Sequence, residues 1–286
     1  MGVGLLGGSL GLALRKRRLA DCVTGYVRRA ASVRECEKMG AVDVATRDLR
    51  VSVQDADLIV LCTPIAQMRP LVEQMLPTVK PGAIVTDVGS VKGAIVRDLE
   101  SLVEKAGGYF VGSHPMAGAE KMGVAAARAD LFVDAVSVIT PTRKTNEAAA
   151  ARIAGLWKSV GARVLRLTPE RHDELVSRSS HLPHVVAATL ANLVLDPRWP
   201  EQQAELCANG FRDTTRVASG SPEMWRDIAL ANGKHLGRAV DLFIRDLEKV
   251  RRFIEQDDLS ALNYFLVQAK SRRDRWREKG ARTSPE

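Results

Sequence analysis

The sequence predicts a doubly wound α/β sheet followed by an all-helical domain, and three observations predict it. Apolar runs of strand length alternate with amphipathic runs of helix length as far as about residue 168. A glycine-rich loop opens the chain. After Thr168-Pro169, β-branched runs give way to long segments of 3.6-residue period. At 286 residues the chain holds one large or two modest domains, and the change of pattern divides it at 1–168 and 169–286.

Strands are expected at Val23 to Tyr26, Leu58 to Cys62, Ala83 to Val88, Tyr109 to Val111, Val136 to Thr140 and Val164 to Leu167. Helices are expected between them at Leu10 to Arg18, Met68 to Leu76, Lys92 to Ala106 and Asn146 to Val160. Such alternation supplies the crossovers that a parallel sheet needs. In the second half Leu242, Leu247, Val250, Ile254, Leu262 and Leu266 recur on one face, more apolar surface than one helix needs. A helical dimer interface and an intrachain core both fit that surplus.

Gly2-Val3-Gly4-Leu5-Leu6-Gly7 has GxGxxG spacing and runs directly into a helix carrying Leu10, Leu12, Ala13 and Leu14. Glycines so spaced permit a tight turn, close approach to a pyrophosphate and close helix–strand packing, with the helix N-terminus facing the phosphates. The α/β half is therefore Rossmann-type, and Gly2, Gly4, Leu5, Leu6 and Gly7 are the expected dinucleotide contacts, with Thr63 counted beside them. The apolar first strand that should precede the loop is missing, since the numbering starts at Met1. Burying its four or five side chains would contribute about 6 to 15 kcal/mol, which rivals a domain's net stability of roughly 5 to 15 kcal/mol. A start upstream of Met1 is expected. Where an acidic side chain would hold the ribose hydroxyls stand Val27, Arg28 and Arg29. Arginines there suit a 2′-phosphate and point to NADP, with NAD as the alternative, although solvated arginines after a strand would read the same way.

With 45% hydrophobic and 27% charged residues, the composition is that of a soluble globular protein and excludes collagen-like, disordered and disulfide-scaffold classes. The four cysteines form no CxxC pair and no zinc-ligand spacing, so reduced thiols, a cytoplasmic location and no metal are expected. No apolar run reaches the roughly 18 to 20 residues of a membrane span. The formal charge of +8 suggests nucleic acid, but Asp274 and Glu278 interrupt the basic run from Lys270 to Lys279, which reads as a solvated helix end. A positive field also suits small dianionic substrates.

Gly112-Ser113-His114-Pro115-Met116-Ala117-Gly118 places His114 where an apolar run ends in a turn, at the carboxyl edge of a parallel sheet, where ligands bind. In Asp87-Val88-Gly89-Ser90-Val91-Lys92, Ser90 is either a helix N-cap or a hydroxyl turned into the cleft. Ser179-Ser180-His181-Leu182-Pro183-His184 holds two histidines three apart. Gly210 to Arg216 supplies guanidinium groups suited to carboxylates, and Ser221-Pro222 opens a helix that contains Trp225.

In this order, from the glycine loop through DVGSVK, GSHPMAG, SHLPH and FRDTTR to SPEMWRD, nearly the whole chain resembles the prephenate/arogenate dehydrogenase family of tyrosine biosynthesis. The resemblance implies a Rossmann domain followed by a helical dimerisation domain, and hence a homodimer. It also implies NAD(P)-dependent oxidative decarboxylation of prephenate to 4-hydroxyphenylpyruvate, or of arogenate, without a metal. By the same resemblance His114 takes the proton of the ring hydroxyl, Ser90 bonds the same region, Arg216 binds a substrate carboxylate, and His184 and Trp225 line the pocket. His172, His181 and Arg212 are further candidates. Family members usually carry a hydroxylated residue after HPMAG where this chain has Ala119, which touches substrate specificity rather than the reaction. Two other readings compete. A β-hydroxy-acid dehydrogenase would depend on a lysine in the helical domain, where this chain offers His181, His184 and Arg216. A catalytically silent dinucleotide sensor would need neither His114 nor Arg216.

Overall fold

The computed structural model describes residues 1–118 and 123–281, with side chains as far as 276. The α/β part runs α1 (Leu5–Lys16), β1 (Thr24–Tyr26), α2 (Ala30–Lys38), β2 (Val44–Thr46), β3 (Leu58–Leu61), α3 (Ile65–Met75), β4 (Ile84–Asp87), α4 (Gly93–Lys105), β5 (Tyr109–Pro115), β6 (Val136–Thr140), α5 (Glu147–Ser159) and β7 (Arg163–Arg166). Helices follow: α6 (Pro169–Val176), α7 (Leu182–Val194), α8 (Gln202–Glu205), α9 (Asn209–Thr215), α10 (Pro222–Ala231), α11 (Gly233–Glu255) and α12 (Leu259–Ala281).

The strands form two sheets, β1-β2 and β3-β4-β5-β6-β7. Neighbours are parallel except β5 and β6. The described part of the connection between that pair carries only a 3-10 turn, Val124–Ala126, and a parallel pairing needs a longer crossover. Met1 and Gly2 lie between the two sheets. The Met1 amine donates to the Val60 carbonyl at 2.9 Å, Cys62 N–H to Met1 O at 2.8 Å, and Gly2 N–H to Tyr26 O at 3.0 Å.

Both faces of the larger sheet are covered, which is why its strands read as unbroken apolar runs. Leu10, Ala13, Phe132, Ile153 and Trp157 belong to one core cluster, and Met68, Val72, Ile95, Leu99 and Val103 of α3 and α4 to the other.

The compact units are 1–233 and 234–286, so the first helices after Thr168-Pro169 belong to the same compact unit as the sheets. The reason is packing: α6 lies against α4 and β6, and α10 against α3. The second unit consists of α12 and nearly all of α11, and on it Leu242, Leu247, Ile254 and Leu266 stand exposed. Its basic run forms part of α12, where Lys270 pairs with Asp274 at 2.6 Å and Arg273 lies over the Trp276 ring. No described helix is long and apolar enough to cross a membrane.

Candidate active site

The glycine loop has the shape its spacing predicts. Gly2 adopts φ +85°, where a side chain would be strained, and a Cβ there would come within 2.9 Å of the Cys62 carbonyl oxygen. A Cβ on Gly7 would lie 2.2 Å from the Gly2 carbonyl oxygen, so α1 packs directly on the turn. Gly4 faces open space. No side-chain cap and no first-turn acid occupies the start of α1, which leaves its first amides directed at whatever binds there. Thr63 Oγ1, whose residue adjoins Gly2, is buried without a partner. A backbone cradle with partial positive charge and an orphaned hydroxyl fits a dinucleotide pyrophosphate.

Beyond β1, Val27 is buried in the core, whereas Arg28 and Arg29 are exposed. Arg47 Nε donates to the Arg28 carbonyl at 3.2 Å, which brings a third guanidinium to this edge. Sequence reasoning missed it because the three-residue β2 carries too little apolar pattern to be recognised.

His114 is buried near the carboxyl end of β5. Its Nδ1 meets His172 Nε2 at 2.9 Å, and the two rings stand close to perpendicular. His172 Nδ1 meets Asp173 Oδ1 at 2.8 Å. The two Asp173 carboxylate oxygens also accept the amides of Lys92 at 2.7 Å and Gly93 at 2.8 Å. Asp173 therefore caps α4 from another helix, and Ser90, half-buried in the preceding turn, does not. A carboxylate satisfies two orphan donors at once and suits the positive end of the helix dipole. Burial pushes the Asp173 carboxyl up, but His172 and the two amides outweigh it and hold it below the usual range. His114 is held well below its ordinary 6.5, first by burial and then by the charges that His172, Lys92 and His181 would carry.

The residue before His114 is fixed by a fully buried ion pair. Lys92 Nζ donates to Asp87 Oδ2 and, at 2.7 Å, to the Ser113 carbonyl. Ser113 returns its N–H to Asp87 Oδ1 at 3.1 Å and its hydroxyl to the Asp87 carbonyl at 2.6 Å, and Trp157 Nε1 donates to Ser113 Oγ at 3.1 Å. Removing one partner of such a pair typically costs about 3 to 5 kcal/mol, because the other charge is left buried alone. Sequence reasoning singled out only Ser90 in this motif. The signal for Asp87 and Lys92 was two opposite charges flanking an otherwise apolar strand-to-helix turn.

On the helical side, α6 passes into α7 through a π-helical segment, Ser177–His181. Pro183 explains it, since proline offers no N–H to continue the α ladder. Asp173 and His181, eight residues apart, would lie about 80° apart around an uninterrupted α-helix, and the extra residue of the π turn reduces this to about 20°. Both then reach one amide: Asn232 Nδ2 donates to Asp173 O at 2.9 Å and meets His181 Nδ1 at 3.1 Å. Burial lowers His181 to about 4. Its Nε2 is buried without a partner of good geometry, the backbone of Ser90 being the group that bears on it. Trp225 lies edge-on to His181 at 6.2 Å and stacks on His184 at 3.6 Å. His114, His172, Asp173, Asn232, His181, Trp225 and His184 thus form one continuous chain of contacts. Asn232 Oδ1 along it is buried without a partner, and His184 Nε2 without one of good geometry, the backbone of Val217 being the group that bears on the His184 ring. Arg212 is exposed on α9, and Arg216 opens the turn that follows. Ala119 lies outside the described residues.

Two family models match the chain, the prephenate dehydrogenase nucleotide-binding domain over residues 10–166 and the prephenate dehydrogenase dimerization domain over 168–268. The chain belongs to the prephenate dehydrogenase family. It is 36% identical to the prephenate dehydrogenase of Bacillus subtilis across 98% of its own length and 76% of that protein. Against the cyclohexadienyl dehydrogenase of Zymomonas mobilis identity is 34%, covering 95% and 93%. The prephenate dehydrogenase of A. aeolicus, crystallised with hydroxyphenyl propionate and NAD+, matches with a TM-score of 0.90 at 33% identity over 96% of each chain. Membership of this family sets aside the β-hydroxy-acid reading.

Proposed function

We propose that this protein catalyses the oxidative decarboxylation of prephenate to 4-hydroxyphenylpyruvate, with His114 as the general base. The observation that carries the reading is a buried histidine, held neutral at the carboxyl edge of the sheet, in a chain of this family. Gly2, Gly4, Leu5, Leu6, Gly7 and Thr63 would hold the dinucleotide, which when bound supplies the hydride acceptor. His114 accepts the C4 hydroxyl proton, and its neutral state at rest makes that transfer available near neutral pH. The C4–H electron pair would leave as hydride to the bound dinucleotide, the ring carboxylate departs as carbon dioxide, and the electrons of that broken bond make the ring an aromatic phenolate, which takes the proton back from His114. The protein therefore needs chiefly to orient the substrate and remove one proton. Ser90, at the edge of the adjacent strand, bonds the same hydroxyl. Arg216, with Arg212 nearby in sequence, binds a carboxylate through a guanidinium fork. The stacked His184 and Trp225 form the pocket wall.

We assign NADP as the preferred dinucleotide, on the exposed Arg28 and Arg29 and on Arg47 beside them. A homodimer formed through the helical region is supported by the name of the second family model and by the exposed apolar side chains of α11 and α12. Arogenate is a second candidate substrate because the Z. mobilis relative is named a cyclohexadienyl dehydrogenase. The test is reduced-dinucleotide formation by the purified protein with prephenate and then arogenate, each with NADP and NAD. Turnover of prephenate is expected. A protein that binds dinucleotide yet turns over neither acid would instead be the silent sensor.

A further inference from the structure

We propose that His172 and Asp173 fix the tautomer of His114, leaving Nε2 as the bare acceptor that meets the substrate hydroxyl. This rests on the reading of His114 as the base and goes beyond it by giving two residues of the helical part a positioning role. The argument is one of donors and acceptors. The Asp173 carboxylate already accepts the amides of Lys92 and Gly93, so it is ionised and can only accept from His172 as well. His172 Nδ1 must then carry a hydrogen. In neutral His172 that leaves Nε2 as a lone pair, and the 2.9 Å contact to His114 Nδ1 is made only if His114 carries its own hydrogen on Nδ1. The remaining nitrogen of His114, Nε2, is therefore unprotonated. With His172 and Asp173 both buried, no bulk water competes for these bonds.

The same order governs the proton transfer. The substrate O–H bond breaks and an N–H bond forms at His114 Nε2, which makes that ring an imidazolium. Its Nδ1–H stays in place against His172 Nε2, and the new positive charge is stabilised through His172 by the Asp173 carboxylate. If His172 presented Nε2–H instead, His114 would carry its hydrogen on Nε2 and could take no proton from the substrate. The geometry required is a histidine immediately before an aspartate midway along α6, with the aspartate also anchored on the amides of Lys92 and Gly93 where α4 begins.

The experiment is a long-range proton–nitrogen correlation spectrum of protein labelled in its five histidines, assigned by single substitutions, together with kinetics of two variants. Wild-type His114 is expected to show Nδ1 protonated and Nε2 bare near neutral pH. In His172→Leu the Nδ1–H loses its acceptor, so signal for the Nε2–H tautomer grows, and kcat falls by roughly 10²-fold while KM stays within about threefold. His172→Gln presents a carbonyl oxygen that can accept from Nδ1–H, so it restores the bare Nε2 and brings kcat to within about tenfold of wild type. A wild-type spectrum with His114 protonated on Nε2 overturns the proposal, and so do equal losses of kcat in the two variants. If the spectrum is as expected but wild type turns over neither prephenate nor arogenate, the tautomer assignment stands and the catalytic reading fails. Should His172→Leu not fold, the wild-type spectrum and His172→Gln still decide.

Discussion

A deeply buried histidine in a protein core is most often there for packing, and His114 departs from that because of what surrounds it. Burial, the neighbouring His172, the Lys92 ammonium and His181 all penalise its charged form. A base must be unprotonated to act, so activity is present above the folded pKa and is lost as pH falls through it. Since that pKa lies well below 6.5, kcat/KM for prephenate is expected to stay level through neutrality and to fall only below the usual histidine range. A limb attributable to His114 at or above 6.5 in the measured profile would contradict this. His114→Asn should lower kcat by roughly 10²- to 10⁴-fold with little change in KM. A variant within threefold of wild type in kcat would remove His114 from the role. The identity of this residue was legible because an apolar run ending in His-Pro marks a sheet edge. Asp173, which reaches it through His172, was not, since an exposed-looking Pro-Glu-Arg-His-Asp helix start gives no hint that it caps a different helix.

Among the elements, β3, β4 and β6 were legible as short apolar runs, and β1 and β5 in part, because a sheet covered on both faces leaves that signature. The elements that escaped were those whose apolar content is small: β2 has three residues, and α2 buries only Cys36. The π segment escaped too, since hydrophobic period does not register one inserted residue, although Pro183 was the clue. Missing β2 concealed Arg47, and this changes how cofactor choice should be tested. Val27 is buried, so an aspartate there would be desolvated and would confound selectivity with stability. The informative change is Arg28→Ala with Arg47→Ala. A charge-assisted bond to a 2′-phosphate contributes about 1.5 to 3 kcal/mol, so the ratio of kcat/KM for NADP over NAD should fall more than about tenfold. Wild type favouring NAD, or a ratio left unchanged by the double variant, would return these arginines to the role of solvated surface charge.

Over the whole molecule, the change of pattern at Thr168-Pro169 marks where strands stop, not where a compact unit ends. Sequence period reports local structure, whereas the unit is set by long-range ties such as Asp173 to Lys92 and Asn232 to Asp173, which no period encodes. The apolar surplus in the last two helices was legible, but its cover was not. On the second unit Leu242, Leu247, Ile254 and Leu266 are exposed, and a second copy of the chain is the cover to be tested. Each is already about half covered, so burying the remainder of four such side chains would contribute roughly 3 to 6 kcal/mol per chain, half of about 1.5 to 3 kcal/mol each. Association costs about 4 to 15 kcal/mol in lost freedom. Two chains contributing equally would reach roughly 6 to 12 kcal/mol, which matches much of that range, whereas one chain's share alone reaches only its lower end. Light scattering of the purified protein should therefore give twice the chain mass of 31.2 kDa. Leu247→Glu with Ile254→Glu removes about half of each chain's apolar contribution, roughly 1.5 to 3 kcal/mol, and places carboxylates where the partner must pack. That variant should run as a monomer at micromolar concentration, with its first unit still folded by circular dichroism. A wild-type monomer, or a double variant that stays dimeric, would mean that this stripe is not the interface.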